Sequence, residues 1–285
     1  SVEELAAGII SRAKVMLSCG TTTLEVKASY GLSAEGCQKE LDAIFIAKKE
    51  IPQRLIVTFM GAHAFPPEYS REKYIDILGN ELVPMAAEHP VGCAFNDVFC
   101  EGGAFSVEES EKVLLAGLEN GLRPKAHVDE FEALGGTQMA CRLGAVSCDH
   151  LLASGPAEIE PLAASQTVAV VLPGTAYYLG KPFADARAML DAGCSVALGT
   201  DFNPGSSMVA SMAFVMGLGV SKMGMSPEEA LTAATAASGQ AIGFDPFGAA
   251  DLCEWPCDSL EELIYGHAFV RPSRVLIAAR DTICD

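Results

Sequence analysis

Residues 195–201 read SVALGTD, a short apolar run that ends on an acid. Six other runs share its character: TTLEVK (22–27), LIVTFMG (55–61), FNDVFC (95–100), RPKAHV (123–128), AVSCD (145–149) and TVAVVLP (167–173). Most are apolar with little polar alternation, as expected for strands covered on both faces. Helical segments lie between them. Ser33 stands where it would cap a helix running through Lys49. SVEESEKVLLAGLENG (106–121) places Ser106 and Glu109 at capping-box spacing and closes on a glycine. SPEEALTAATAASGQAIG (226–243) repeats the device, with Pro227 at the first helical position. The order is βαβα, which predicts an α/β fold with a parallel sheet. Seven strands suit an open doubly wound sheet, whereas a closed (β/α)8 TIM barrel needs eight, so the count does not choose between them. Neither GxGxxG after the first strand nor GxxxxGK[ST] occurs, which weakens a nucleotide-binding sheet.

The bulk composition narrows the function classes. The 285 residues are half hydrophobic and one-fifth charged, enough for a sizeable core and unlike a disordered chain. The net charge of −18, from 37 acids against 19 bases, repels nucleic-acid phosphates and anionic lipid. No run of about 18 apolar residues suggests a membrane span. SVEELAAGII carries two glutamates where a signal peptide would carry basic residues. Ten irregularly spaced cysteines with no CxxC pair read as reduced thiols in a cytoplasmic protein. After Gly243 the composition changes. GAADLCEWPCDSLEELIYG (248–266) and RVLIAARDTI (274–283) read as short, peripheral, strand-like segments. The expected division is therefore an α/β domain over 1–245 and a C-terminal segment over 246–285 belonging to a small β-sandwich-like domain.

Of only five histidines, three close predicted strands: His63 after LIVTFMGA, His127 in RPKAHVDE and His150 after AVSCD. Asp201 closes the last run. In a parallel α/β barrel the active site gathers at the C-terminal strand ends, so these four residues are candidates for one site. Imidazole with carboxylate suits zinc or ferrous iron, and a bound metal lowers the pKa of its water. Asp201 is placed to take that proton. Glu130, three residues after His127, is placed to face the same cavity. Tyr30, in ASYGL, reaches toward the expected mouth. Asn203, Gly205 and Ser206 form a donor-rich turn suited to a polar or anionic substrate group. His89 and His267 read as exposed residues of a loop and of the tail.

These segments together resemble one family. GTTTLEVKASYGL, TFMGAHAFPPEY, NDVFCEGGAFSVEES, KAHVDEFEALGG, DHL and ALGTDFNPGSS occur in the order and combination of the imidazolonepropionase family, within the amidohydrolase superfamily. The resemblance runs from near residue 15 to about residue 245. It implies a metal-dependent (β/α)8 barrel with one zinc or iron. It also implies hydrolytic opening of 4-imidazolone-5-propanoate to N-formimidoyl-L-glutamate in histidine degradation. By matching position, His127 and Asp201 are expected to be metal ligands, and His150 the group that polarises substrate or moves a proton. Glu130, His63, Tyr30, Asn203, Gly205 and Ser206 are expected to contact substrate. The expected partner is a small molecule, with no nucleic acid and no membrane, and a homodimer is compatible. The family's HxH motif, which supplies two further metal ligands from the first barrel strand, does not occur in this chain. The visible strands are therefore expected to be the second to the eighth, with roughly a hundred residues of a family member before Ser1. Two other readings are another amidohydrolase acting as a cyclic amidine deaminase, and a non-catalytic, truncated barrel.

Overall fold

A computed structural model describes residues 1–245 and 250–282. Seven parallel strands form one sheet in strict sequence order: β1 (Thr23–Ala28), β2 (Arg54–Ala62), β3 (Cys93–Cys100), β4 (Arg123–Val128), β5 (Ser147–His150), β6 (Val168–Val171) and β7 (Val196–Leu198). Each strand pairs only with its sequence neighbours, so an open doubly wound order is excluded and the sheet curls as a part-barrel. Among the described residues β1 and β7 are not paired with each other. Strand pairing places Asp97 beside Lys125, and His127 beside Asp149.

Alternate residues of each strand separate two environments. Leu24, Val98, Ala126, Val128 and Cys148 join the hydrophobic core under the surrounding helices. Their neighbours Glu25, Lys27, Asp97, Lys125, His127 and Asp149 gather on the other face, in mutual contact. The helices form where their caps direct. Ser33 accepts from Gly36 N at the start of Ala34–Glu50, and Ser106 and Glu109 complete a reciprocal capping box for Val107–Glu119. That helix lies directly on β3: a Cβ added at Gly117 would stand 2.7 Å from Asn96 Cβ. The 226–243 stretch begins with the expected Ser226 and Glu229 box, but an internal π-helical turn, Ala233–Ala237, separates two α-helical pieces.

The tail is partly as expected. Strands β8 (Leu252–Glu254), β9 (Arg274–Ile277) and β10 (Arg280–Thr282) make a small antiparallel sheet in the order β10-β9-β8. Val275 and Ile277 pack on Leu17 of the first helix, Val2–Ser18. SLEELIYG, expected to be strand-like, is instead helical over Leu260–Tyr265, because Ser259 accepts from Glu262 N and two glutamates occupy the positive first turn. The expected division at residue 246 falls on 246–249, outside the described residues. No described helix is long and apolar enough to cross a membrane.

Candidate active site at the strand C-termini

Four non-glycine residues at or just after the ends of strands of the parallel sheet have left-handed backbones: Asp129 (φ 54°), His150 (φ 83°), Leu151 (φ 60°) and Asp201 (φ 49°). Such conformations cost on the order of 1–3 kcal/mol each and persist where surrounding structure imposes them, commonly at active sites. Two of the four are candidate site residues. Asp129 is buried, and its Oδ2 accepts from the hydroxyls of Thr137 and Ser154, both at 2.7 Å. Those bonds hold the turn that presents Glu130.

The structure brings most of the candidate residues together. The His127 and His150 rings stand 5.1 Å apart, and Glu130 Oε2 lies 3.7 Å from His150 Nε2. His63 meets Tyr30 edge-on at 5.1 Å and lies 6.0 Å from Phe99. The charge of Asp201 is felt at His63, Glu130 and His150, which places its carboxylate at the same mouth. Thr175 donates a short hydrogen bond to Asp201 Oδ2. Tyr30 is exposed at the rim, 61% accessible.

The loop after β7 is a different case. Asn203 Oδ1 accepts from Gly205 N and Ser206 N, each at 2.8 Å, and its amide donates to Asp201 O at 2.7 Å. The backbone donors expected to face a ligand are thus engaged within the loop, which fixes the turn that carries Asp201. His89 is a correction. It is buried, with its ring 3.2 Å from Asp42 and its Nδ1 accepting from Val91 N at 3.1 Å, because the chain after Glu88 turns inward rather than into solvent. His267 is also not an exposed tail residue: it is half-buried, packed on Phe214 and accommodated by Gly217.

Electrostatics divide the site into two zones. At the mouth, burial dominates. It raises the Glu130 carboxyl to about 7, with Asp201 adding to the effect. It lowers His150 to about 4, with His127 adding to the effect, and it lowers His63. At neutral pH His150 is therefore a neutral imidazole. Behind the mouth, paired charges overcome burial. Burial alone would raise Glu25, Asp97 and Asp149, but neighbouring cations hold all three well below the usual carboxylate range. Lys125 grips both oxygens of Glu25 at 2.9 and 2.8 Å, and Thr58 donates to the same carboxylate. Lys27 reaches Asp97 at 2.6 Å, Asp149 at 3.2 Å and Glu25 at 3.3 Å. Burial would lower His127, yet the combined pull of Asp97 and Asp149 outweighs it and the imidazole is held above its ordinary value.

This charged zone was not singled out in the sequence, although a signal existed. Glu25 and Lys27, Lys125 and His127, and Ser147 and Asp149 each stand two residues apart within a strand and so share a face. Thr175 gave no such sign, because it lies in the first turn of the helix Pro173–Leu179 that follows β6.

The donor set at the mouth, an imidazole nitrogen and a carboxylate, suits a divalent transition metal. The buried Nδ1 atoms of His63 and His150 and Oδ1 of Asp129 have no hydrogen-bond partner among the described residues. Buried polar atoms left without a protein partner are ones that a bound ligand or water would satisfy. A cavity of about 620 Å³ lined by Leu190, Val196, Ala237 and Phe244 lies instead on the flank of β7, away from these groups.

The sheet order and the strand-end residues define an amidohydrolase-type (β/α) barrel. Solved structures agree on the fold. An adenosine deaminase from Xanthomonas campestris with bound zinc superposes with a TM-score of 0.71 at 20% identity, covering 99% of this chain and 70% of that one. A 5-methylcytosine deaminase from Klebsiella pneumoniae reaches 0.75 at 13% identity, covering 97% and 73%. In sequence the chain is a relative of the imidazolonepropionases. It is 46% identical to that of Deinococcus deserti over 250 residues, 87% of this chain and 61% of the relative. It is 44% identical to that of Brevibacillus brevis over 84% of this chain and 57% of the relative. The chain thus spans about 60% of the length of these curated relatives. No family model matches it.

Proposed function

We propose that this chain forms the active-site barrel of an imidazolonepropionase, which adds water across the cyclic amide of 4-imidazolone-5-propanoate to give N-formimidoyl-L-glutamate. The observation that carries this reading is the convergence of His63, His127, Glu130, His150 and Asp201 at the strand C-termini of a chain 46% identical to such an enzyme. In this reading residues 1–245 supply barrel strands two to eight, and 246–285 belong to a small β-domain. The enzyme works in the cytoplasm, in keeping with the nine free cysteines among the described residues, and a homodimer is compatible.

His127 and Asp201 are assigned as ligands of one zinc or iron ion. When bound, such an ion would supply an acidified water and polarise the scissile carbonyl. Asp201 accepts the proton that the attacking water loses, and Thr175 holds its second oxygen in place. His150, neutral at the working pH, donates a hydrogen bond to the developing oxyanion from whichever nitrogen carries its hydrogen. Glu130 titrates near neutrality and in its protonated form is suited to hydrogen-bonding the substrate ring and giving its own proton to the departing nitrogen, to be regained from solvent after turnover. His63 and Tyr30 border the ring. Asn203, Gly205 and Ser206 shape the wall at the substrate's polar end.

A substrate panel tests the assignment. Opening of the imidazolone ring without ammonia release is expected. Ammonia release from cyclic amidines, with no action on the imidazolone, would replace this reading with a deaminase.

A further inference from the structure

The group that faces the back of His127 has no part in the chemistry proposed above. His127 Nδ1 lies 3.1 Å from Asp97 Oδ1. That oxygen also accepts from Val98 N at 2.8 Å, and Asp97 Oδ2 receives Lys27 Nζ at 2.6 Å. Asp97 is buried, so its orientation is set by these three partners. An ionised carboxylate only accepts hydrogen bonds, so the ring nitrogen that faces it must carry the hydrogen. The lone pair of the neutral ring is then on Nε2, on the far side from Asp97.

Asp97, His127 and Asp149 also bring three potential ligand atoms within 4.8 Å of one another. They do not make a second cation site. Lys27 Nζ already stands 2.6 Å from Asp97 and 3.2 Å from Asp149, where a metal would have to be. The ammonium does two things there: it stabilises both carboxylates as anions and it keeps metal off Nδ1. The wider cluster contains three carboxylates, Glu25, Asp97 and Asp149, against two ammoniums, Lys27 and Lys125. One negative charge is left behind a neutral His127, which favours a cation on its other side.

We propose that Asp97, clamped by Lys27, is the positioning residue that keeps the hydrogen of His127 on Nδ1 and presents Nε2 to the barrel mouth. Its consequence for metal rests on His127 being a metal ligand, as proposed above; the positioning itself does not. A carboxylate behind a ligating imidazole fixes the tautomer and raises ligand basicity, and its loss commonly costs about 10–100-fold in metal affinity.

Long-range 1H–15N correlation of the 15N-histidine-labelled, metal-free protein reads this directly. Spectra are taken where His127 is neutral, its signals being those lost in His127→Gln. A protonated Nδ1 and a bare Nε2 are expected in the wild type. In Asp97→Asn the amide can offer an N–H to the ring, and the hydrogen should move wholly or partly to Nε2. Hydrogen on Nε2 in the wild type overturns the proposal without any variant. An unchanged tautomer in folded Asp97→Asn also overturns it. Cobalt(II) titration of the same samples should show affinity falling by about tenfold or more in Asp97→Asn. A changed tautomer with unchanged cobalt affinity upholds the positioning and instead removes His127 from the metal site.

Discussion

Glu130 Oε2 stands 3.7 Å from His150 Nε2, yet the two do not form an ion pair at neutral pH. Burial drives them in opposite directions on the pH scale: the acid up to about 7, the imidazole down to about 4. At neutral pH His150 is therefore neutral while Glu130 is divided between acid and anion, which allows Glu130 to donate a proton while His150 polarises without carrying charge.

In the metal-free protein these two groups should make stability depend on pH in opposite directions. The folded pKa of Glu130 is above its unfolded value, so its contribution is fully present below about 4.5 and is lost as pH rises through about 7. Glu130→Gln should match the wild type near pH 4.5. Above pH 7 it should gain on it by on the order of 1–3 kcal/mol. For His150 the folded pKa is depressed, so wild-type stability falls as pH drops from about 6.5 toward 4. His150→Gln should gain on the wild type over that lower window. Urea unfolding from pH 4.5 to 8 measures both differences. Parallel curves for all three proteins would refute the two assignments.

Removing the two histidines should have different effects in the active enzyme. His127→Ala is expected to lose metal, which atomic absorption after gel filtration would show. His150→Ala is expected to retain metal while kcat falls by about 10²–10⁴. Activity at the wild-type level in His150→Ala would exclude it from the chemistry.

The affinity of this chain for metal follows from its donor count. On the proposed assignment His127 and Asp201 offer two protein ligands, whereas catalytic zinc sites ordinarily have three. Zinc should therefore be lost on dialysis against a mild chelator, and turnover by this polypeptide should be low. Tight, stoichiometric zinc after such dialysis would show that another described residue completes the site.

The charged zone behind the mouth should be costly to break. Lys125 is 1% exposed and depends on Glu25 for its charge balance. Glu25→Gln should destabilise the protein by about 3–5 kcal/mol, the range for a buried ion left without its partner. Glu25→Leu combined with Lys125→Met should recover a large part of that loss. Chemical denaturation of the single and double variants measures the difference.

Helix placement gives the last prediction. Gly117→Ala puts a Cβ 2.7 Å from Asn96 Cβ, backed by the sheet and unable to swing away. Although alanine is the better helix former, a loss of about 1–3 kcal/mol is expected, because overpacking outweighs propensity. Thermal unfolding of the variant provides the check.

The strands were legible because each is a buried run bounded by caps and turns. SVALGT, RPKAHV and LIVTFMG all became strands within a few residues of their expected limits. His63, His127, His150 and Asp201 were legible as a set because parallel strands all end on the same side, so a strand-final residue has a known address. The inner faces were less legible. β1, β3, β4 and β5 each set charged side chains between apolar ones, and burial can be apolar or ionic, so composition does not say which partner will arrive. His89 was misread for a related reason. A histidine next to proline in a short loop gives no sign that Asp42, 47 residues away, will be beside it.

The βαβα order, the capped helices and the residues that close the strands are written in the chain, because these depend on local chemistry and on a period of two or 3.6. The strict sequence order of the sheet, the place of Lys27 between Asp97 and Asp149, and the meeting of Glu130 with His150 arise only on folding. Those relationships join residues from separate strands and turns, and their energies come from distance and exclusion of water, which exist only once the strands are side by side.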